Sequence, residues 1–151
     1  MSAEEPAEVV RHVRQRRERL RATMDALEAA IAAPGPGREG EWARRVAAVL
    51  DDMGPVLEDH IADTEGADGL LERVMAQAPR LAHALDALRD DHVRLREGLA
   101  ALRSQADAIP GADIAEVRSA AIDLLGLLVR HRHRGADVLY EAYSVDVGAG
   151  D

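Results

Sequence analysis

The sequence predicts an all-α protein, an antiparallel up-down four-helix bundle, on three observations. The apolar 47% of the chain is mostly Leu, Ala and Val, with no Phe and only Trp42, Tyr140 and Tyr143 as aromatics. Ala and Leu lead the helix-propensity scale, and the aromatic residues that favour strands are almost missing. Three clusters of helix breakers, at Pro34-Gly35-Pro36-Gly37, at Gly66, Gly69 and Pro79, and at Ile109-Pro110-Gly111, divide the chain into four long segments. Within each segment, apolar residues recur at alternating steps of three and four, the period of a helix face.

The first segment, about 6–33, carries Val13, Arg17, Leu20, Met24, Leu27 and Ile31 on one stripe. The second, about 39–65, continues through Val46, Val49, Met53, Val56 and His60. The third, about 79–107, opens on Pro79, a residue suited to a first helical turn. It then reads Leu81, Leu85, Leu88, His92, Leu95, Leu99 and Leu102. The fourth, about 113–143, reads Val117, Ala121, Leu124, Leu128, His131, Gly135, Val138 and Ala142. A short additional helix is expected within 70–78. The Gly-rich tail, 145–151, is expected to fray or pack loosely. Four amphipathic helices joined by short connections bury their stripes best against one another, so one domain spanning 1–151 is expected.

Bulk charge removes several function classes. The net charge is −9, from 19 basic and 28 acidic residues. A nucleic-acid partner is not expected, because binding phosphates needs a basic field. Every basic residue is Arg, as GC-rich coding produces, which suggests a bacterial source. With no cysteine, thiolate metal sites, disulfides and Cys nucleophiles are excluded. No run approaches the ~20 apolar residues of a membrane span, and the opening Met-Ser-Ala-Glu-Glu-Pro has no apolar core of a signal peptide. The expectation is a cytoplasmic protein without a membrane partner. There is no Gly-rich phosphate loop, nucleophile elbow or His-Glu-x-x-His pair. No catalytic residue is singled out, and a binding or sensing protein is expected rather than an enzyme.

The informative residues are the histidines: His12, His60, His83, His92, His131 and His133. His60, His92 and His131 stand inside apolar stripes where Leu is expected. An imidazole facing a core needs a hydrogen-bond partner or a metal, because burying it unpaired is costly. Three helices each turning one histidine inward can build a metal site in a bundle centre. His12 lies one residue off the stripe of the first segment. Folding about Pro36 nevertheless brings it to the level of His60, so it is a fourth candidate. Folding about Pro110 places His92 within a turn of His131. His83 and His133 are out of phase with these stripes and are expected at the surface.

In the order and placement of these groups the chain resembles the hemerythrin-like (HHE cation-binding) family. The matching elements are His12 early in the first helix, His60-Ile-Ala-Asp-Thr-Glu65 late in the second, Asp91-His92 in the third, and Arg130 to Tyr143 in the last. The resemblance implies a four-helix bundle holding non-haem iron on histidines and bridging carboxylates, with oxygen, nitric oxide or peroxide bound or sensed. The implied metal ligands are His12, His60, Glu65, His92 and His131.

The chain departs from that pattern at two carboxylate positions. Four residues after His60 stands Thr64, and Glu65 lies about 140° round an ideal helix from His60. It reaches the site only if the helix ends or loosens there, which Gly66 allows. Four residues after His131 stands Gly135. The donor set therefore suits either a di-iron or a mononuclear site. The competing reading is a metal-free bundle acting as an interaction or small-ligand module, with its histidines bonded to acidic groups across the core and a gap at Gly135. Arg17, on the stripe of the first helix, is expected to pair with Asp63 or Glu65. Trp42 is expected to pack over one end of the bundle, and Tyr140 and Tyr143 to sit at its boundary.

Overall fold

A computed structural model describes residues 6–144, so the 145–151 tail expected to fray lies outside the described residues. Among the described residues the regular structure is entirely helical: α1 (Pro6–Ala32), α2 (Glu39–Glu65), α3 (Leu70–Gln77), α4 (Ala82–Asp107) and α5 (Ile114–Tyr143). The four long segments and the short additional helix fall where the breakers and stripes put them. The one difference is at the third segment, where Pro79–Leu81 forms a single 3-10 turn before α4 begins. Proline fits there because a first-turn residue needs no backbone N–H.

The long helices pack in a ring, α1 on α2, α2 on α4, α4 on α5 and α5 on α1. Their stripes fill it: Leu27 from α1, Val46 from α2, Leu95 from α4 and Val117 from α5 are fully buried. Leu27→Ala is expected to destabilise the protein by about 2–5 kcal/mol, the lost transfer energy plus the cavity left behind. Urea unfolding reads this directly, and a loss below about 1 kcal/mol would contradict the packing described.

The ends are closed differently. At one end Trp42 is 1% exposed, and the Arg118 guanidinium lies 5.5 Å from its ring centroid. The same guanidinium donates to the carbonyls of Ile31 (2.7 Å) and Ala33 (3.3 Å). Carbonyls at a helix C-terminus lack intrahelical partners, so Arg118 fastens α5 to the end of α1. The N-terminus of α5 is capped by Asp113, whose Oδ1 accepts from the Ala115 N–H at 3.0 Å. At the other end α3 packs on α2, α4 and α5, burying Leu71 and Val74. Leu71, Val74, Leu81, Leu85, Leu88 and Val138 form a second apolar cluster, separate from the main core. Between the two lie the inward histidines. The turn into α3 is tight: a Cβ on Gly69 would stand 2.6–2.9 Å from the carbonyl oxygens of Gly66, Thr64 and Asp63, so only glycine fits.

Candidate metal centre

His60 of α2, His92 of α4 and His131 of α5 meet in the bundle interior. Their ring centroids are 5.2, 5.1 and 4.8 Å apart, with rings edge-on to one another. One ring nitrogen from each lies within 4.8 Å of the other two. His92 and His131 are buried, and His60 is partly buried.

The tautomers follow from the partners. His131 Nδ1 lies 2.9 Å from Asp91 Oδ2, and His92 Nδ1 lies 2.6 Å from Glu65 Oε2. A carboxylate only accepts, so in both rings Nδ1 carries the proton and donates it. A neutral ring then has its lone pair on Nε2. His60 Nε2 lies 2.9 Å from His131 Nε2. Since the His131 nitrogen is the acceptor, His60 Nε2 holds the proton between them. His92 Nε2 is buried and has no hydrogen-bond partner. An orphaned, buried lone pair is costly unless something occupies it.

The rings are held neutral. Burial lowers the His60 pKa to about 3, helped by the repulsion a proton there would meet from protonated His131 or His92 and from Arg17 and Arg16. Burial also lowers that of His92, against the opposing pull of Glu65. For His131, burial outweighs the opposing bond to Asp91. Neutral imidazole is the form that binds metal.

This donor set fits a metal ion. Two imidazole nitrogens at ~2.0–2.1 Å from one tetrahedral ion stand about 3.3 Å apart. The His60 and His131 nitrogens need only a few tenths of an ångström of separation and transfer of the proton they share. Carboxylates bonded to the outer nitrogens of His92 and His131 are the supports that fix metal-ligating rings. Asp91 is itself anchored: it is 1% exposed, and its Oδ1 accepts from Arg134 Nη1 at 2.5 Å.

Two of the expected site residues are placed elsewhere in this arrangement. His12 has a 56% exposed side chain, and its Nε2 lies 3.4 Å from Asp63 Oδ2. Being one residue off the stripe, it stands at the rim of the site and faces Asp63. Glu65 is the last residue of α2, and Gly66 leaves the helix in an extended conformation. The loosening that lets Glu65 turn inward brings it to the outer nitrogen of His92. Arg16 Nε contacts Asp63 Oδ2, and Arg17, buried on the stripe of α1, donates from Nη1 to the Arg132 carbonyl at 3.0 Å. His83 and His133 are exposed, as their phase requires, and so is Tyr140, while Tyr143 is partly buried.

Asp91 and Arg134 are the partners that stripe reading passed over. Asp91 lies three residues after Leu88 and four before Leu95, a spacing that places it on the inward face. Arg134 follows His131 by three residues, on the same side of α5.

The three imidazoles line a cavity of about 70 Å³ between the two apolar clusters. Its wall is largely aliphatic, from Leu20, Leu71, Val74, Leu88, Val138 and Leu139. Comparison of the chain with known family models, with curated proteins and with solved structures returned no match.

Proposed function

We propose that the protein is a hemerythrin-like, antiparallel up-down four-helix bundle that binds one metal ion on His60, His92 and His131. The observation that carries this reading is the arrangement of those imidazoles. Three neutral rings converge, and two of them have their outer nitrogens fixed by carboxylates. Three-histidine sets leave a coordination position open, and imidazole suits iron as well as zinc and copper. Iron is the metal the family resemblance implies. When bound, the ion supplies an open position for a small donor molecule, and the aliphatic cavity keeps bulk water from it. The task is then binding or sensing of a small molecule such as oxygen, nitric oxide or peroxide.

One ion is favoured over two because the carboxylates of a dinuclear site are otherwise engaged or missing. Glu65 is bonded to His92. The Thr64 hydroxyl donates back to its own helix, at the carbonyls of His60 (2.9 Å) and Ile61 (3.1 Å). Gly135 has no side chain to offer.

The test is metal content. Protein made in iron-replete medium and purified without chelator or histidine tag is expected to hold about one metal per chain by elemental mass spectrometry. Two irons with oxo-bridged absorption bands would replace the mononuclear reading by a di-iron one. Metal far below one per chain, not recovered on anaerobic reconstitution with ferrous iron, would leave the metal-free module. The His60–His131 hydrogen bond favours that second reading, since it satisfies two of the three rings without an ion.

A further inference from the structure

We propose that the outer face of α5 is the contact surface of a symmetric dimer, in which a second copy of this chain lays its own α5 antiparallel along Ile122, Leu125 and Val129. The surface is separate from the metal site. His131 stands nine residues after Ile122, half a turn out of phase, and is buried in the bundle interior.

The apolar spacing comes first. α5 buries one stripe in the core, through Val117, Ala121, Leu124, Leu128 and Val138. It carries a second on its other side, Ala115, Ile122, Leu125, Val129, Ala136 and Tyr140, again at steps of three, four and seven. Ile122 is 56% exposed, Val129 41% and Tyr140 58%. Single apolar side chains at a surface need no explanation, but a line of them along about 37 Å of one helix does.

The stripe is complementary to itself, which selects a second copy as the occupant. A two-fold axis makes residue i of one chain meet j of the other, and j meet i. With the axis between Leu125 and Gly126, Ile122 of each copy faces Val129 of the other. Gly126, at the crossing, has no side chain to hold the backbones apart. The charges agree with the same axis. Asp123 and Arg130 are both exposed. They lie about 10 Å apart along one chain, too far to pair within it. Across the axis, each Asp123 comes within about 3 Å, measured along the helix, of Arg130 on the other copy. Arg130 Nη1 lies over Gly126, 3.3 Å from where a Cβ would stand, and so close to the axis.

The ends of the stripe match as well. Pro110, Ala112, Ile114 and Ala115 border an open groove of about 500 Å³ where α5 begins. At a rise of ~1.5 Å per residue, Ile114 and Ala115 lie about 16–17 Å from the axis, with Pro110 and Ala112 beyond them, and Tyr140 lies about 22 Å to the other side. Antiparallel pairing therefore sets each exposed Tyr140 over the groove of the other copy. A tyrosine suits such a place, its ring covering apolar surface and its hydroxyl staying wet. Parallel pairing would instead bring Arg130 against Arg130 and leave both grooves open.

The experiment is sedimentation velocity of the whole protein from about 1 µM to about 300 µM. The expected result is a shift with concentration from the 16.3 kDa chain to a species of twice that mass. Ile122→Glu and Tyr140→Ala are each expected to weaken association about tenfold or more. Their circular dichroism is expected to stay unchanged, because both side chains are exposed. Asp123→Arg and Arg130→Asp, each alone, put like charges opposite one another and are expected to weaken association too. Combined in one chain, they restore the pair across the axis and recover most of the wild-type association. A wild-type protein that stays monomeric to about 300 µM would overturn the proposal. So would a dimer indifferent to Ile122→Glu and Tyr140→Ala, or a double charge variant no better than either single one.

Discussion

His131→Ala is expected to abolish stoichiometric metal binding, lowering affinity by about a thousandfold or more. The expectation rests on what this ring does in the site. His131 is the only one of the three that touches both another imidazole and a buried carboxylate, through Nε2 to His60 and Nδ1 to Asp91. Its removal takes away one of three donors and also leaves Asp91 without the imidazole it orients. Asp91→Asn is the graded companion. The amide keeps the shape but weakens the hold on the His131 tautomer, so a loss of about 10–100-fold is expected, the range for outer supports of metal ligands. His12→Ala is expected to change affinity least, because His12 faces Asp63 at the rim. Competition with a chromophoric chelator gives all three values. If His12→Ala were to cost as much as His131→Ala, the three-histidine assignment would fail, and His12 would have to turn inward on loading. Circular dichroism and urea unfolding of each metal-free variant separate lost ligands from lost fold.

This order of effects was only partly legible in the sequence. The helical fold was open to reading because its signals are local and repeated. Four stripes at a three-four period agree with one another, and Pro and Gly mark where each stops. The inward histidines were legible for the same reason, since each replaces a leucine in an otherwise unbroken stripe. Their supports were not. Whether Glu65 reaches the site depends on where α2 ends, and Gly66 settles that through backbone geometry rather than residue type. Asp91 sits beside His92 in sequence yet serves His131 on another helix, which no periodicity within one helix can reveal. Arg16 and Arg17 illustrate the limit most plainly. They are neighbours of identical chemistry, and a helix turn of about 100° per residue leaves Arg16 partly exposed and Arg17 buried.

The metal-free protein is expected to lose stability steeply on mild acidification, and the cause lies in the same rings. Burial holds the His60 pKa at about 3 in the folded state, against 6.5 for a solvated histidine. A histidine whose pKa is depressed by folding is neutral in the native state while its unfolded counterpart takes up a proton. Its contribution is therefore complete above pH 6.5 and is lost as pH falls toward 3. Within that window each such group costs ~1.4 kcal/mol per pH unit, so His60 alone removes about 2 kcal/mol between pH 6.5 and 5. His92 and His131 are shifted in the same direction by burial and add to the slope. Urea midpoints measured between pH 7.5 and 4.5 read the effect, and His60→Asn is expected to flatten it. A midpoint that stays level from pH 7 to 5 would mean that the imidazoles are hydrated in solution. Bound metal should deepen the dependence, because the ion competes with protons for the same three nitrogens and holds only the folded chain. The comparison of loaded with metal-free protein thus ties the acid lability of the fold to occupancy of the site.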